Sequence, residues 1–181
     1  MAKLIYGMMQ SLDGYVANAD GEITLPVPEG ALHAWFNERM AAVAGSIYGR
    51  RMYEMMSFWD GPDAEAADAD FTRAYRASPK WVVSRTLTEV GPNAVLLGGD
   101  LSAELAKLKG EYEQDIEVAG PELAAHFTEL GLIDEYWLFI MPVVLGGGKP
   151  AFTAVMPDGM KLVGIEQLPQ EVALVKYSKP N

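Results

Sequence analysis

Short apolar runs alternate with amphipathic stretches along this chain of 181 residues, and the alternation restricts the fold more than any other feature. The runs that predict strands are residues 4–9, 45–48, 81–83, 95–97, 116–118, 136–145, 162–168 and 172–177. Between them, the stretches that predict helices are residues 32–43, 51–56, 101–108 and 123–130, the last two ended by Gly110 and Gly131. Strands alternating with helices predict an α/β domain with a mostly parallel sheet, and the last two strands, around Pro169 and Gln170, predict an antiparallel hairpin.

The charge and the amino-acid content disfavour or exclude several functions. With 14 Lys and Arg against 25 Asp and Glu, the formal net charge is −11, which disfavours a nucleic acid or an anionic membrane surface as the main partner. The absence of cysteine excludes disulfides, thiolate catalysis and cysteine-ligated metal sites. The longest apolar run, 136–145, contains Pro142 and is far shorter than the ~20 residues that span a bilayer. We therefore expect one cytoplasmic globular domain over residues 1–181, with the acidic run 60–70 as solvated surface.

The standard motifs of phosphate, metal and nucleophile chemistry are mostly missing from the sequence. No G-x-G-x-x-G occurs, and the run GGGK at 146–149 lacks both the upstream glycine and the hydroxyl residue of a P-loop. His33 and His126 lie on different predicted helices without metal-ligand spacing, so we interpret both as structural. We expect no metal site.

Three junctions that follow predicted strands remain as candidate sites. They are Gly49-Arg50-Arg51, Ser84-Arg85-Thr86 and Ala119-Gly120-Pro121-Glu122. Ligands of open parallel sheets bind outside the carboxyl ends of the strands, which is where these junctions lie. Free N–H groups at a helix N-terminus, together with arginine and hydroxyl side chains, suit a dinucleotide with an additional phosphate, such as NADPH. The alternative is that each glycine only makes a turn and each arginine is a solvated surface residue.

The order of these motifs resembles the dihydrofolate-reductase-like superfamily. The segments that carry the resemblance are SLDGYVANADGEI, YGRRMYEMMSFW, KWVVSRTL, DIEVAGPELAAHF and GLIDEYWLFIMPVVLGGGKPAF. Within the superfamily, the chain is most similar to the reductase domain of the bifunctional riboflavin-biosynthesis deaminase-reductase and to its stand-alone bacterial relatives. The resemblance implies a three-layer fold with an eight-stranded, mostly parallel sheet and helices on both faces, NADPH as the cofactor, and a homodimer.

The resemblance also implies which residues contact the cofactor and the substrate. The cofactor-binding positions are Gly49, Arg50, Arg51, Ser84, Arg85, Thr86, Val118, Ala119, Gly120, Pro121, Glu122 and Leu123. Residues 49–51 would hold phosphates, 84–86 the adenosine 2′-phosphate and 118–123 the pyrophosphate. The positions that match the substrate-side loops are Gly14, Leu145, Gly146, Gly147 and Gly148.

Asp13 matches the family's loop beside the nicotinamide, and we interpret it as the catalytic polar group. It would orient the substrate or relay a proton. The alternative is that Asp13 is only a turn residue, because Asp-Gly is a common turn pair.

Two departures from the superfamily narrow the function. The helix acid that engages the pterin in folate reductases aligns with Leu32, which disfavours dihydrofolate as a substrate. The zinc signature of the deaminase domain is also missing from the sequence. We therefore expect an NADPH-dependent reductase of a small heterocyclic or ribosylaminopyrimidine compound, like a 5-amino-6-(5-phosphoribosylamino)uracil reductase. The alternative is a non-catalytic NADP(H)- or ligand-binding protein of the same fold.

Overall fold

Helices and strands alternate along the chain as the sequence predicts. The structure is a computed structural model that describes residues 1–180. The strands are β1 (Leu4–Gln10), β2 (Tyr15–Ala17), β3 (Gly45–Gly49), β4 (Lys80–Val83), β5 (Ala94–Leu97), β6 (Ile116–Ala119), β7 (Glu135–Ile140), β8 (Lys149–Pro150), β9 (Lys161–Leu168) and β10 (Val172–Ser178). The α-helices are α1 (Gly30–Ala42), α2 (Arg50–Met56), α3 (Ala64–Ala67), α4 (Ala69–Ala77), α5 (Leu101–Glu111) and α6 (Pro121–Glu129). None of the helices within residues 1–180 is long and apolar enough to cross a membrane.

The strand pairing confirms a mostly parallel sheet with an antiparallel C-terminal hairpin. Within residues 1–180, all strands except β2 and β8 belong to one eight-stranded sheet, while β2 pairs with β8. β3 is parallel to both β4 and β6, β4 is parallel to β5, and β1 is parallel to β7. β10 is antiparallel to both β7 and β9. The fold class expected from the sequence is therefore the fold observed.

The described residues divide into two compact units. The first unit comprises Met1–Leu4 and Trp35–Gly120, and the second comprises Ile5–Ala34 and the chain from Pro121 onward.

In the first unit, the strands follow the order β5-β4-β3-β6. The register pairs Gly49 with Val83 and Tyr48 with Ala119, so β3, β4 and β6 end at the same edge. The core residues of these strands, Ile47, Val82 and Val118, are at most 1% exposed.

An ion pair ties α1 to β6 in the first unit. Arg39 Nε lies 2.5 Å from Glu117 Oε1, and less than a quarter of either side chain is exposed. Burial raises the pKa of Glu117, and the Arg39 cation opposes that rise. The two charges compensate each other. For this reason β6 can accommodate the carboxylate of Glu117 between its buried residues Ile116 and Val118.

In the second unit, the strands follow the order β1-β7-β10-β9. The hairpin register places Val172 opposite Leu168, and both Gln170 and Glu171 of the connecting loop have a φ of +56°. Val172 and Leu174 of β10 are fully buried, whereas β9 is exposed along most of its length because it ends the strand order. The predicted hairpin around Pro169 and Gln170 is thus confirmed.

Three predicted element ends were wrong. The strand expected over 136–145 ends at Ile140, because the chain turns at Pro142, whose ring nitrogen cannot donate a ladder hydrogen bond. α5 continues through Gly110 to Glu111, since a glycine lowers helix stability without preventing the helical conformation. Leu130, the last residue of the helix predicted over 123–130, lies beyond the end of α6 and is 46% exposed.

The acidic run 60–70, predicted as solvated surface, is partly helical. It contains α3 and the start of α4, and Ala64 within it is fully buried. Asp68 caps α4, because its Oδ1 accepts a hydrogen bond from the amide of Phe71 at 2.9 Å. Glu65 pairs with Arg76 of α4 at 2.7 Å. The carboxylates in this run therefore stabilise local helices rather than only facing water.

Gly45 at the start of β3 allows a testable prediction of stability. A Cβ at Gly45 would collide with the carbonyl oxygen of Pro79 and lie 2.7 Å from Cζ3 of Trp81. We expect Gly45→Ala to lower the free energy of unfolding by about 1–3 kcal/mol, because neighbouring backbone must shift. Urea unfolding measures the change. Gly98→Ala is the control, since its Cβ would meet nothing within 4 Å; equal losses in both variants would contradict the prediction.

Candidate functional site

Two of the predicted phosphate-binding junctions meet through a side-chain hydrogen bond in the first unit. β3 ends at Gly49 and α2 begins at Arg50, whose Nη1 donates to Thr86 Oγ1 at 3.1 Å. The same guanidinium lies 3.7 Å from the carboxylate of Glu54, one turn along α2. Arg51 is exposed in the first turn of α2. The structure thus brings the junctions after β3 and β4 together, as the sequence predicts.

The junction after β4 is folded around the Ser84 hydroxyl. Ser84 Oγ accepts hydrogen bonds from the amides of Thr86 at 3.1 Å and Leu87 at 3.0 Å, which is a Ser-centred turn. This turn fixes the position of the Thr86 hydroxyl that Arg50 contacts. Arg85 is exposed, and its guanidinium makes no hydrogen bond or ion pair with the rest of residues 1–180. Its charge is therefore available to an anion.

The junction after β6 has a glycine because its backbone requires one. Gly120 has a φ of +98°, a left-handed conformation that favours glycine. A Cβ on Gly120 would lie 3.7 Å from Met52 of α2, so the turn runs beside that helix. Val118 is buried, and Ala119 is partly exposed. Within the first unit, Gly49 is the last residue of β3, and Ser84 and Gly120 directly follow β4 and β6, the two strands parallel to it.

The remaining predicted cofactor residues belong to α6 of the second unit. Pro121 is the first residue of α6 and is buried, Leu123 is partly exposed, and Glu122 is exposed. Glu122 Oε1 lies 3.0 Å from Lys149 Nζ, and the ion pair is at the surface. Lys149 was not among the residues predicted from the sequence. Its position directly after the GGG run was the available signal.

Asp13 accepts three hydrogen bonds in the second unit. Its Oδ1 accepts from the Ser11 hydroxyl at 2.6 Å and from the Leu145 amide at 3.1 Å. Its Oδ2 accepts from the Gly146 amide at 2.7 Å. The Ser11 hydroxyl, followed by the two amides, holds the pKa of Asp13 below its ordinary value. The carboxyl group is therefore anionic at neutral pH and engages the glycine-rich loop.

Further contacts join the loop after β1, and the strand β2 that follows it, to the predicted substrate loop 145–148 and the residues on either side of that loop. The amide of Leu12 donates to Val143 O at 2.8 Å, and Ala17 pairs with Lys149 between β2 and β8. A Cβ on Gly148 would collide with Ala17 O, so only glycine allows this close approach. The loops predicted from the sequence as substrate loops thus lie together.

Ser11, which is fully buried, is a partner of Asp13 that was not predicted from the sequence. Its signal was the S-x-D spacing ahead of Asp13, a spacing that lets the hydroxyl reach the carboxylate.

The position aligned with the acid of folate reductases is apolar and inaccessible. Leu32 on α1 is fully buried. Glu29, the nearest preceding acid, is exposed, and its amide donates to the Gln170 side chain at 2.8 Å. The protein therefore has no carboxylate at the position where folate reductases have their acid.

The chain matches one protein family and two bacterial proteins along most of its length. A family model described as the RibD C-terminal domain matches residues 2–174. The chain is 28% identical over 181 residues to the uncharacterized protein YyaP of Bacillus subtilis strain 168, covering 97% of this chain and 94% of that protein. It is 30% identical over 177 residues to the uncharacterized protein YwjB of the same strain, covering 95% of each.

Three solved structures with the same fold illustrate what the chain resembles. A candidate riboflavin biosynthesis protein from Shewanella sp. PV-4 matches with a TM-score of 0.77 at 24% identity over 100% of both chains. RibD of Acinetobacter baumannii matches with a TM-score of 0.69 at 20% identity, covering 99% of this chain and 58% of that one. The Thermotoga maritima diaminohydroxyphosphoribosylaminopyrimidine deaminase/5-amino-6-(5-phosphoribosylamino)uracil reductase matches with a TM-score of 0.67 at 16% identity, covering 99% and 57%. The chain thus spans a little over half of the Acinetobacter and Thermotoga proteins.

The lowered pKa of Asp13 predicts a pH-dependent stability difference. A carboxylate whose folded pKa is depressed stabilises the fold above its unfolded pKa of about 3.9, and this contribution is lost as the pH falls through the folded pKa. We expect wild type to exceed Asp13→Asn in free energy of unfolding at neutral pH. The gap should close in acid, where a protonated Asp and Asn carry the same charge.

Urea unfolding over a pH series from neutral to about pH 3 measures this gap. Asp20→Asn, in the same loop, is the control, because its carboxylate accepts no hydrogen bond from the part of the chain that the structure describes. A gap for Asp13→Asn that does not change with pH would contradict the role given to the carboxylate.

Proposed function

The chain belongs to the RibD C-terminal domain family, and from that membership we propose that it is an NADPH-dependent reductase of a ribosylaminopyrimidine-like heterocycle. One observation carries the proposal: the junctions after β3, β4 and β6 follow adjacent parallel strands and present arginine, serine and threonine side chains together. Ligands of parallel sheets bind at this edge. The Thermotoga neighbour, described in part as a 5-amino-6-(5-phosphoribosylamino)uracil reductase, supports the choice of substrate class.

The residues of the first unit fit the phosphates of NADPH. Arg85 is exposed and unpaired within residues 1–180, and the Ser84 turn places hydroxyl groups beside it, so this junction would hold the 2′-phosphate. Gly49, Arg50 and Arg51 would hold the other phosphates, with Gly120 allowing close backbone approach. NADPH supplies a hydride when it is bound; the protein contributes orientation and electrostatics.

The predicted pyrophosphate turn continues into the second unit with Val118, Ala119 and Gly120 followed by Pro121, Glu122 and Leu123. Glu122 would repel an anionic cofactor if it were alone. Its ion pair with Lys149 at 3.0 Å compensates this charge. The turn is therefore compatible with a pyrophosphate.

The substrate would lie against the loops that Asp13 joins. Asp13, Gly14 and the loop 145–148 are the polar and glycine-rich groups of the second unit that match the family's substrate side. Asp13 would orient the substrate so that the carbon of a C=N bond, such as that of a Schiff base, accepts the hydride from NADPH while the nitrogen of that bond takes up a proton. The family match over residues 2–174 supports the proposal that residues 1–181 form one domain.

Purified protein with NADPH and 5-amino-6-(5-phosphoribosylamino)uracil tests the function directly. The proposal expects loss of NADPH absorbance and formation of the reduced product. Dihydrofolate should not be reduced, because the protein has the buried Leu32 at the position where folate reductases have the acid that binds the pterin. Binding of NADPH without turnover on any pyrimidine, pterin or quinone would favour the alternative, a non-catalytic NADP(H)-binding protein of the same fold.

Arg85 should distinguish NADPH from NADH. A hydrogen bond to a charged group is worth ~1.5–3 kcal/mol, so Arg85→Ala should weaken NADPH binding roughly 10- to 150-fold. NADH affinity should barely change, because NADH lacks the 2′-phosphate. Calorimetric titration measures both affinities. Arg73→Ala is the matched control, since Arg73 is an exposed arginine of the same unit that pairs with Asp70; equal losses for both cofactors would remove Arg85 from this role.

A homodimer through β9 is also proposed. β9 ends the strand order, and its Leu162, Val163 and Ile165 are 53%, 52% and 67% exposed. An apolar strand at the end of a sheet is a typical surface for pairing with a second copy. We expect wild type to sediment as a dimer and Ile165→Lys as a monomer, because the lysine charge would be buried at the interface. An unchanged mass for Ile165→Lys would place the interface elsewhere.

A further inference from the structure

The Asp13 carboxylate connects two chain segments that are far apart in sequence. Ser11 is two residues before it, whereas Leu145 and Gly146 are more than 130 residues after it. Both carboxylate oxygens are engaged, although the side chain is exposed. An exposed aspartate that acted only in its own turn would need no bond to the distant loop.

Ser11 fixes the direction of one of these bonds. Its hydroxyl is fully buried, and its Oγ accepts a hydrogen bond from the Tyr15 amide at 3.0 Å. The same hydroxyl donates its proton to Asp13 Oδ1, 2.6 Å away, because an ionised carboxylate can only accept. Ser11 therefore orients the carboxylate toward the glycine-rich loop.

The loop whose amides donate two of these bonds contains three consecutive glycines in unusual backbone conformations. Gly146, Gly147 and Gly148 have φ values of +76°, +152° and +132°, and consecutive glycines lose much conformational entropy when they are fixed. The two amides that Asp13 holds, those of Leu145 and Gly146, are at the start of this run. The carboxylate is thus placed where it restrains the loop most directly.

We propose that Ser11 and Asp13 are positioning residues that hold the loop 145–148 in its binding geometry, and that Asp13 does not deliver the proton. A protonated Asp13 would lose the negative charge that strengthens its hydrogen bonds with the amides of Leu145 and Gly146, so acting as an acid would weaken the contact with the loop. The depressed pKa of Asp13 agrees with this assignment. The part that concerns turnover rests on the proposed function.

Amide hydrogen exchange of the free protein tests the positioning role without any substrate. We expect the amides of Leu145 and Gly146 to exchange on the order of tenfold faster in Asp13→Asn, because one carboxylate acceptor becomes a donor. Ser11→Ala should accelerate the same amides to a smaller extent. Asp20→Asn is the control and should leave both amides unchanged. Wild-type exchange at Leu145 and Gly146 in Asp13→Asn would overturn the proposal.

Kinetics with NADPH and 5-amino-6-(5-phosphoribosylamino)uracil test the second part. Asp13→Asn should lower kcat on the order of 10²-fold, the usual cost of a misplaced binding loop, while NADPH affinity stays within a few-fold. The shape of the kcat–pH profile should be unchanged. Loss of an ionisation from that profile in Asp13→Asn would show that Asp13 is the proton donor. Absence of turnover in wild type would overturn the proposed function, and the exchange result would still decide the positioning role.

Discussion

The parallel pairing of β3 with both of its neighbours is the constraint on which the candidate cofactor site depends. Parallel strands require crossover connections, so each strand must leave the sheet at the same edge before the chain returns. The register of Gly49 with Val83 and of Tyr48 with Ala119 therefore places the following residues beside one another. The contact between Arg50 and Thr86 follows from this register.

The sequence predicted this arrangement because it depends on patterns that a linear chain records. Apolar runs marked β3, β4 and β6, and the polar residues at their ends marked the edge. The strand expected over 136–145 was wrong at its C-terminal part, because apolar composition continues past Ile140 whereas the ladder stops before Pro142. An apolar sequence indicates which residues are buried, but it does not indicate where the hydrogen bonds between strands end. Met141 is an example, because it is fully buried although it lies outside the strand.

Side-chain partners were the part that the sequence did not predict. Asp13-Gly14 is a common turn pair, and nothing local indicates that the carboxylate reaches amides more than 130 residues away. Asp13 lies in the predicted turn and also contacts the distant loop, so a position in a turn does not preclude a longer-range contact. The same holds for Glu122 and Lys149, whose ion pair depends on where β8 brings the chain. Such contacts are set by tertiary structure.

Local compensation of charge explains how an acidic chain can offer sites for an anion. A net charge of −11 would repel phosphate groups if it acted as a whole, but screening at physiological salt limits exposed charges to a range of about 8 Å. Several carboxylates at or next to the predicted binding residues have partners of their own. In the second unit, Glu122 pairs with Lys149 and Asp13 accepts from backbone amides. In the first unit, Glu54 lies 3.7 Å from Arg50, whereas Arg85 has no ion-pair partner within residues 1–180, so its positive charge remains at the junction after β4. The local arrangement, rather than the total charge, decides what this edge of the sheet can bind.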